Sequence, residues 1–132
     1  MKAVKHIVVA VMLAVSSAAW ADWVTLGGND KFDVYVDTST IRKSGDKAKM
    51  WHLMDFKTSK ELQGDPYLSS KSQSEYDCKD ERERTLYFTQ HSGQMSDGNV
   101  VYSSSGTPSN WTPVSPGSIG ESLWKVACGK MG

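Results

Sequence analysis

Apolar and polar side chains alternate in short runs through most of this chain, and only the last stretch before the C-terminus changes period. Asp22–Leu26 reads as a first short strand, stopped by Gly27-Gly28-Asn29-Asp30. Phe32-Asp33-Val34-Tyr35-Val36 puts Phe32, Val34 and Val36 on one face, the period of a half-buried strand. Asp37-Thr38-Ser39-Thr40 is expected to turn the chain, because short polar side chains bond the local backbone. Ser44-Gly45-Asp46 is a second turn, and Ala48–Phe56 is a strand apolar on both faces, as in a central strand covered on both sides. Lys57–Tyr67 is polar, contains Gly64 and Pro66, and reads as a long loop. From Ser70 to Cys78 the alternation returns, with Lys71, Gln73, Glu75 and Asp77 on a wet face and Ser70, Ser72, Ser74, Tyr76 and Cys78 on the other. Thr85–His91 is a further strand, turned by Gly93 to Gly98 and paired back by Val100–Ser103. The following loop, 103–113, carries Trp111 as its one large apolar side chain.

The last element has a helical period. Ser118-Ile119-Gly120-Glu121 matches a capping box, in which Ser118 caps and Glu121 reaches back. At about 100° per residue, Ile119, Leu123, Trp124, Val126, Ala127 and Cys128 share one broad arc. Gly120 falls inside that arc, where a missing side chain lets a helix approach a sheet, and Gly129 ends the element. So short a helix is marginal alone in water and must be docked. The predicted fold is α+β: an antiparallel sheet of about six strands with one C-terminal helix packed on a face and tethered by a disulfide.

The N-terminus changes the picture of where this domain works. Lys2 and Lys5, the apolar run Ile7 to Val15 and Ala19-Trp20-Ala21 form the pattern of a cleaved export signal over residues 1–21. The run is too short to span a bilayer, which takes about 20 apolar residues. No cysteine stands at the junction to carry a lipid. Removing 21 of 132 residues leaves 111, residues 22–132, the size of a single domain. Lys2 and Lys5 leave with the signal, so 13 basic side chains face 15 acidic ones, net −2. That balance lacks the basic footprint of a nucleic-acid or anionic-membrane binder. Periplasm, outer surface and medium all fit the export signal. They are oxidising, so Cys78 and Cys128 are expected to form one disulfide. Closing a loop of that length stabilises by roughly 4 kcal/mol.

Reactive chemistry finds little support. Met50, His52 and Met54 share one face of a strand near Trp51, a pattern that suits Cu(I). Methionines also fill core gaps, and that is the favoured reading. Zinc is disfavoured, since His52 and His91 are the only mature histidines and neither has a spaced partner. There is no G-x-S-x-G elbow and no free thiol once the bridge forms. Asp80-Glu81-Arg82-Glu83-Arg84 reads as a solvated, salt-bridged turn. Asn110-Trp111-Thr112 fits a glycosylation sequon, taken as chance. Trp111 and Trp124 suit interface anchors, but both are assigned to the core under the helix. No catalytic, cofactor-binding or metal residue is assigned, and the chain is not expected to be an enzyme.

Tyr35-Val36-Asp37 followed by Ile41, Trp51 in a central strand, Glu75-Tyr76-Asp77-Cys78, Gly98, Trp111 with Pro113, and Pro116-Gly117-Ser118 leading to Leu123 and Cys128 form a series of landmarks. Together they resemble the surface-adhesin protein E-like family of exported proteins in Gram-negative bacteria. Their order and spacing carry the match, from Trp23 to Cys128. The resemblance implies an antiparallel sheet whose concave side holds the C-terminal helix through a disulfide. It further implies a non-catalytic adhesin for host matrix proteins such as vitronectin and laminin. No binding residue carries over, because no ligand-contacting motif is recognisable. A periplasmic copper or small-ligand carrier is the alternative, and a homodimer formed through a sheet edge is plausible. If the signal is processed after Ala21, intact mass of the exported protein should fit a chain beginning at Asp22; an uncleaved cytoplasmic chain would refute the reading.

Overall fold

Each strand is followed by its own neighbour, so the sheet is an up-and-down meander. The computed structural model describes residues 22–104 and 107–131, and the expected signal 1–21 lies outside the described residues. The strands are β1 (Val24–Gly28), β2 (Phe32–Ser44), β3 (Lys47–Leu62), β4 (Asp65–Asp77), β5 (Arg82–His91) and β6 (Val100–Ser104), paired in that order. A short β7 (Thr112–Pro113) adds beside the start of β5. All pairs are antiparallel. One helix, α1 (Ile119–Ala127), packs on one face of the sheet.

Three local expectations need correction. Asp37–Thr40 does not turn the chain but forms a bulge inside β2, where the register with β3 shifts. Asp37 Oδ1 accepts from the Ser39 amide at 3.0 Å, and Thr40 Oγ1 takes the Trp51 amide at 3.0 Å. Side-chain oxygens thereby replace a missing rung of the ladder. The expected loop 57–67 is instead a hairpin arm, with Lys60, Glu61 and Leu62 facing Tyr67, Pro66 and Asp65. Gln63 and Gly64, with φ of 54° and 87°, make its tight end, as in a turn that demands positive φ at both central residues. Finally, Arg82-Glu83-Arg84 is not a solvated turn but the half-buried start of β5.

Pleating sorts the side chains. Val34 and Val36 of β2, Ala48 and Met50 of β3 and Tyr76 of β4 form the core beneath Leu123, Trp124, Ala127 and Cys128. The helix starts as expected, with Ser118 Oγ accepting from the Glu121 amide at 3.1 Å. Glu121 reaches back one residue further than expected, to the Gly117 amide at 3.0 Å. At Gly120 the helix comes close to the sheet, and a Cβ there would press on the tip of the Glu83 side chain, which is flexible enough to move aside. Burial under the helix pushes the Glu83 carboxyl above its ordinary range.

Cys78 and Cys128 are bonded, with Cα atoms 5.6 Å apart and 50 residues between them in sequence. A Cys78→Ser/Cys128→Ser protein should lose about 2–4 kcal/mol in denaturant unfolding and release its C-terminal segment to protease. Equal unfolding midpoints for the variant and the parent would show that the bridge is not structural.

Candidate binding face

Glu75-Tyr76-Asp77-Cys78 divides its duties by the alternation of β4. Tyr76 is fully buried on the helix side. Glu75 points the other way and accepts from Arg84 Nε at 2.9 Å. Asp77, expected on a wet face, is 1 % exposed. Its carboxylate accepts from the Lys79 and Asp80 amides, both at 3.0 Å, and from Arg82 at 2.7 Å, with the Lys47 ammonium at 3.6 Å. These contacts, the Asp80 amide first and the Arg82 guanidinium next, hold its carboxyl well below the usual range. Its carbonyl accepts the buried Trp124 Nε1–H bond at 2.8 Å, tying α1 to the sheet.

The face opposite the helix therefore keeps the side chains that the core leaves over. Trp111 was assigned to the core beneath α1, and the structure corrects this. It lies on the opposite face, its ring centroid 4.8 Å from the Arg82 guanidinium carbon, 4.4 Å from that of Arg84 and 5.9 Å from Lys47 Nζ. Trp124 is in the core as expected. Lys71, Gln73 and Glu75 are half-buried on this outer face rather than fully wet. Two open concavities mark it. One of about 200 Å³ is lined by Trp23, Asp37, Thr40, Trp51 and Lys71, and one of about 260 Å³ by Lys49, Glu75, Arg84, Leu86, Tyr87 and Pro108. Sequence reading missed Trp23, Trp51 and Tyr87 as a set. Only the register between strands brings them together, and no local pattern encodes it.

The candidate copper residues do share the helix side of β3, yet Met50 is sealed beneath α1 and Met54 packs against the core. That packing lends the copper carrier no support. His52 is half-buried with Nδ1 shielded and unpartnered, and desolvation lowers its pKa from 6.5 to about 4. His91 lies at the far end of the opposite face, its Nε2 2.8 Å from Thr89 Oγ1, and is likewise lowered by burial and by Lys71. Among the described residues no group of three or more His, Cys, Asp or Glu side chains is placed to hold a metal ion.

The helix is thus clasped to one side of an antiparallel sheet, and the opposite face carries aromatic and cationic side chains. The chain belongs to the family described as Surface-adhesin protein E, which it matches over residues 23–129. Among solved structures it is similar to Haemophilus influenzae protein E in a second crystal form. That match has a TM-score of 0.66 at 8 % identity and covers 84 % of this chain and 90 % of that one. Another structure of the same protein gives 0.63 at 8 % identity, covering 84 % and 86 %. Protein E from non-typeable Haemophilus influenzae gives 0.58 at 9 % identity, covering 84 % and 76 %. No curated protein matches. These structural likenesses show the fold.

The folded chain binds a proton at His52 more weakly than the unfolded chain does. The share of stability linked to His52 is therefore whole above pH 6.5 and falls as pH drops from there toward 4. His91, lowered in the same direction, adds to the fall, and Glu83, raised by burial, opposes it. Protonation of Asp77 removes a second share only below the ordinary aspartate range. Melting temperature against pH should show the upper step, of the order of 2–3 kcal/mol, and His52→Gln should flatten it. A parent profile without a step in that interval would contradict the assignment.

Proposed function

We propose that this chain is an exported, non-catalytic adhesin-like domain that binds a host matrix or envelope protein through the face opposite α1 and its adjoining loops. The observation that carries this reading is the division between the two faces. The helix face is consumed by Leu123, Trp124 and Ala127 packing on the sheet. The opposite face retains Trp111 beneath two guanidinium groups, with Lys49 and Tyr87 exposed beside it. Tryptophan and arginine are the residues that most often dominate binding energy at protein interfaces.

Export through a cleaved signal is supported by a contact at the expected junction. The Asp22 nitrogen donates to Asp37 Oδ2 at 3.2 Å, and Asp37 is buried. Cleavage after Ala21 makes that nitrogen an ammonium group, converting an amide-to-carboxylate hydrogen bond into an ion pair. Matrix proteins such as vitronectin and laminin are the partner class the family suggests, and a homodimer built on the β1 or β6 edge is compatible with the same face.

The disulfide-bonded mature protein should recover a specific partner from matrix proteins or envelope extract. Arg84→Glu and Trp111→Ala, with melting temperatures checked, should each weaken recovery about tenfold. Lys125→Glu on α1 should leave it intact. Loss through Lys125→Glu alone would move the binding surface to the helix.

A further inference from the structure

The geometry points to a glycan site on the outer face: Trp23, Trp51 and Tyr87 form a row of platforms for an extended, β-linked polysaccharide that bears carboxylates. The cross-strand register places Asp37, Trp51, Gln73 and Tyr87 side by side on β2, β3, β4 and β5. Trp23, just before β1, closes the row by lining the same concavity as Asp37 and Trp51. Aromatic rings thus recur on every second strand, which sets them about 9–10 Å apart. A β-linked chain of equatorial pyranoses turns over at each sugar, so like faces return once per disaccharide, a repeat of about that size. Tryptophan and tyrosine present rigid flat surfaces to the C–H faces of such rings with little entropy lost. The Gln73 amide supplies both hydrogen-bond senses that sugar hydroxyls and acetamides need.

Charge selects among glycans. Asp37 is engaged by the Asp22 nitrogen and Ser39, and Glu75 by Arg84. Ion pairs among the described residues engage Lys47, Lys57, Arg82 and Arg84, and neither Lys49 nor Lys71. Lys71 Nζ instead lies 5.8 Å from the centre of the Trp51 ring. An incoming sugar takes that ring face, and its carboxylate draws the Lys71 ammonium aside. The unmatched charge along the row is therefore cationic and fits an acidic chain. Such a chain is available as a host glycosaminoglycan or as the muramic-acid strand of a cell wall.

This site shares the outer face with the protein-binding reading but goes beyond it, and separate variants probe the two. The disulfide-bonded exported protein is titrated calorimetrically with hyaluronan hexasaccharide, with a peptide-free strand of alternating N-acetylglucosamine and N-acetylmuramic acid, and with neutral chitohexaose. At least one acidic chain should bind, with affinity falling as salt rises, and the one preferred identifies the source. Trp23→Ala and Trp51→Ala should weaken binding about tenfold, as for an anchoring aromatic. Trp51→Phe keeps a ring and should restore part of the loss, which a collapsed fold would not. Lys71→Gln should weaken the acidic chains and flatten their salt dependence. The proposal is overturned if neither acidic chain binds at millimolar concentration. It is equally overturned if chitohexaose binds as well as they do, or if the tryptophan variants bind normally. Failure here with Arg84-dependent capture of a protein intact would remove the glycan site and leave the protein-binding reading standing.

Discussion

The corner at Asp77 and Cys78 is where the two layers of this protein are joined, and most of the remaining architecture depends on it. Three attachments meet within two residues. The Asp77 carboxylate collects two turn amides and the Arg82 guanidinium, which sets the β4–β5 connection. The Asp77 carbonyl receives the Trp124 indole. Cys78 holds Cys128 covalently. A nine-residue helix is too short to be stable alone, so its position has to be imposed by such contacts. The buried carboxylate is tolerated because a guanidinium and backbone donors answer it; with those partners removed, the same charge would be strongly destabilising.

The corner also explains how one strand serves two faces. Because β4 alternates strictly, its inward residues Ser74 and Tyr76 are buried while Gln73 and Glu75 stay accessible on the far side. The same parity passes through the register to β3, and a bulge in β5 opposite Gln73 and Ser74 brings Arg84 and Tyr87 onto one face. Together they leave Trp51, Lys49, Arg84 and Tyr87 on a face that the helix never covers. The β2 bulge inverts the parity within its own strand, so that Ile41 follows Val34 and Val36 onto the helix side, and it lets Asp37 turn its carboxylate to the Ser39 amide and the Asp22 nitrogen. Buried core and outer face are thus two consequences of one pattern of pairing.

Much of this was legible in the sequence because it is local. The alternation in Phe32–Val36, the Ser118 cap, the Gly129 stop and the paired cysteines each have a short-range physical cause, and each has the expected form in the structure. The failures share a different cause. The 57–67 arm is polar on both sides, so no periodic signal marked it as strand, and only pairing with β4 reveals it. Asp37–Thr40 carries turn chemistry that a long strand absorbed as a bulge. Trp111 sits in a Ser- and Pro-rich loop whose path is decided by β7 joining β5, a pairing of Arg82 with Pro113 and Glu83 with Thr112 across a long stretch of sequence. The outer aromatic row was invisible for the same reason, since its members come from separate strands.

Structural likeness at 8 % identity has a physical meaning for function in this family. What the fold demands is a pattern: alternating apolar positions, a capped helix, and a bridge between the end of a strand and the end of that helix. Many residue sets satisfy that pattern, because cores accept volume-conserving exchange while parity is kept. The outer face answers to a weaker demand: Leu53 is fully buried on that side, while Lys49 and Tyr87 are exposed there. Shared architecture therefore transfers the clasped sheet and the presence of an exposed face. It does not transfer the partner, because function rests on the particular side chains of a site and not on the fold that carries it.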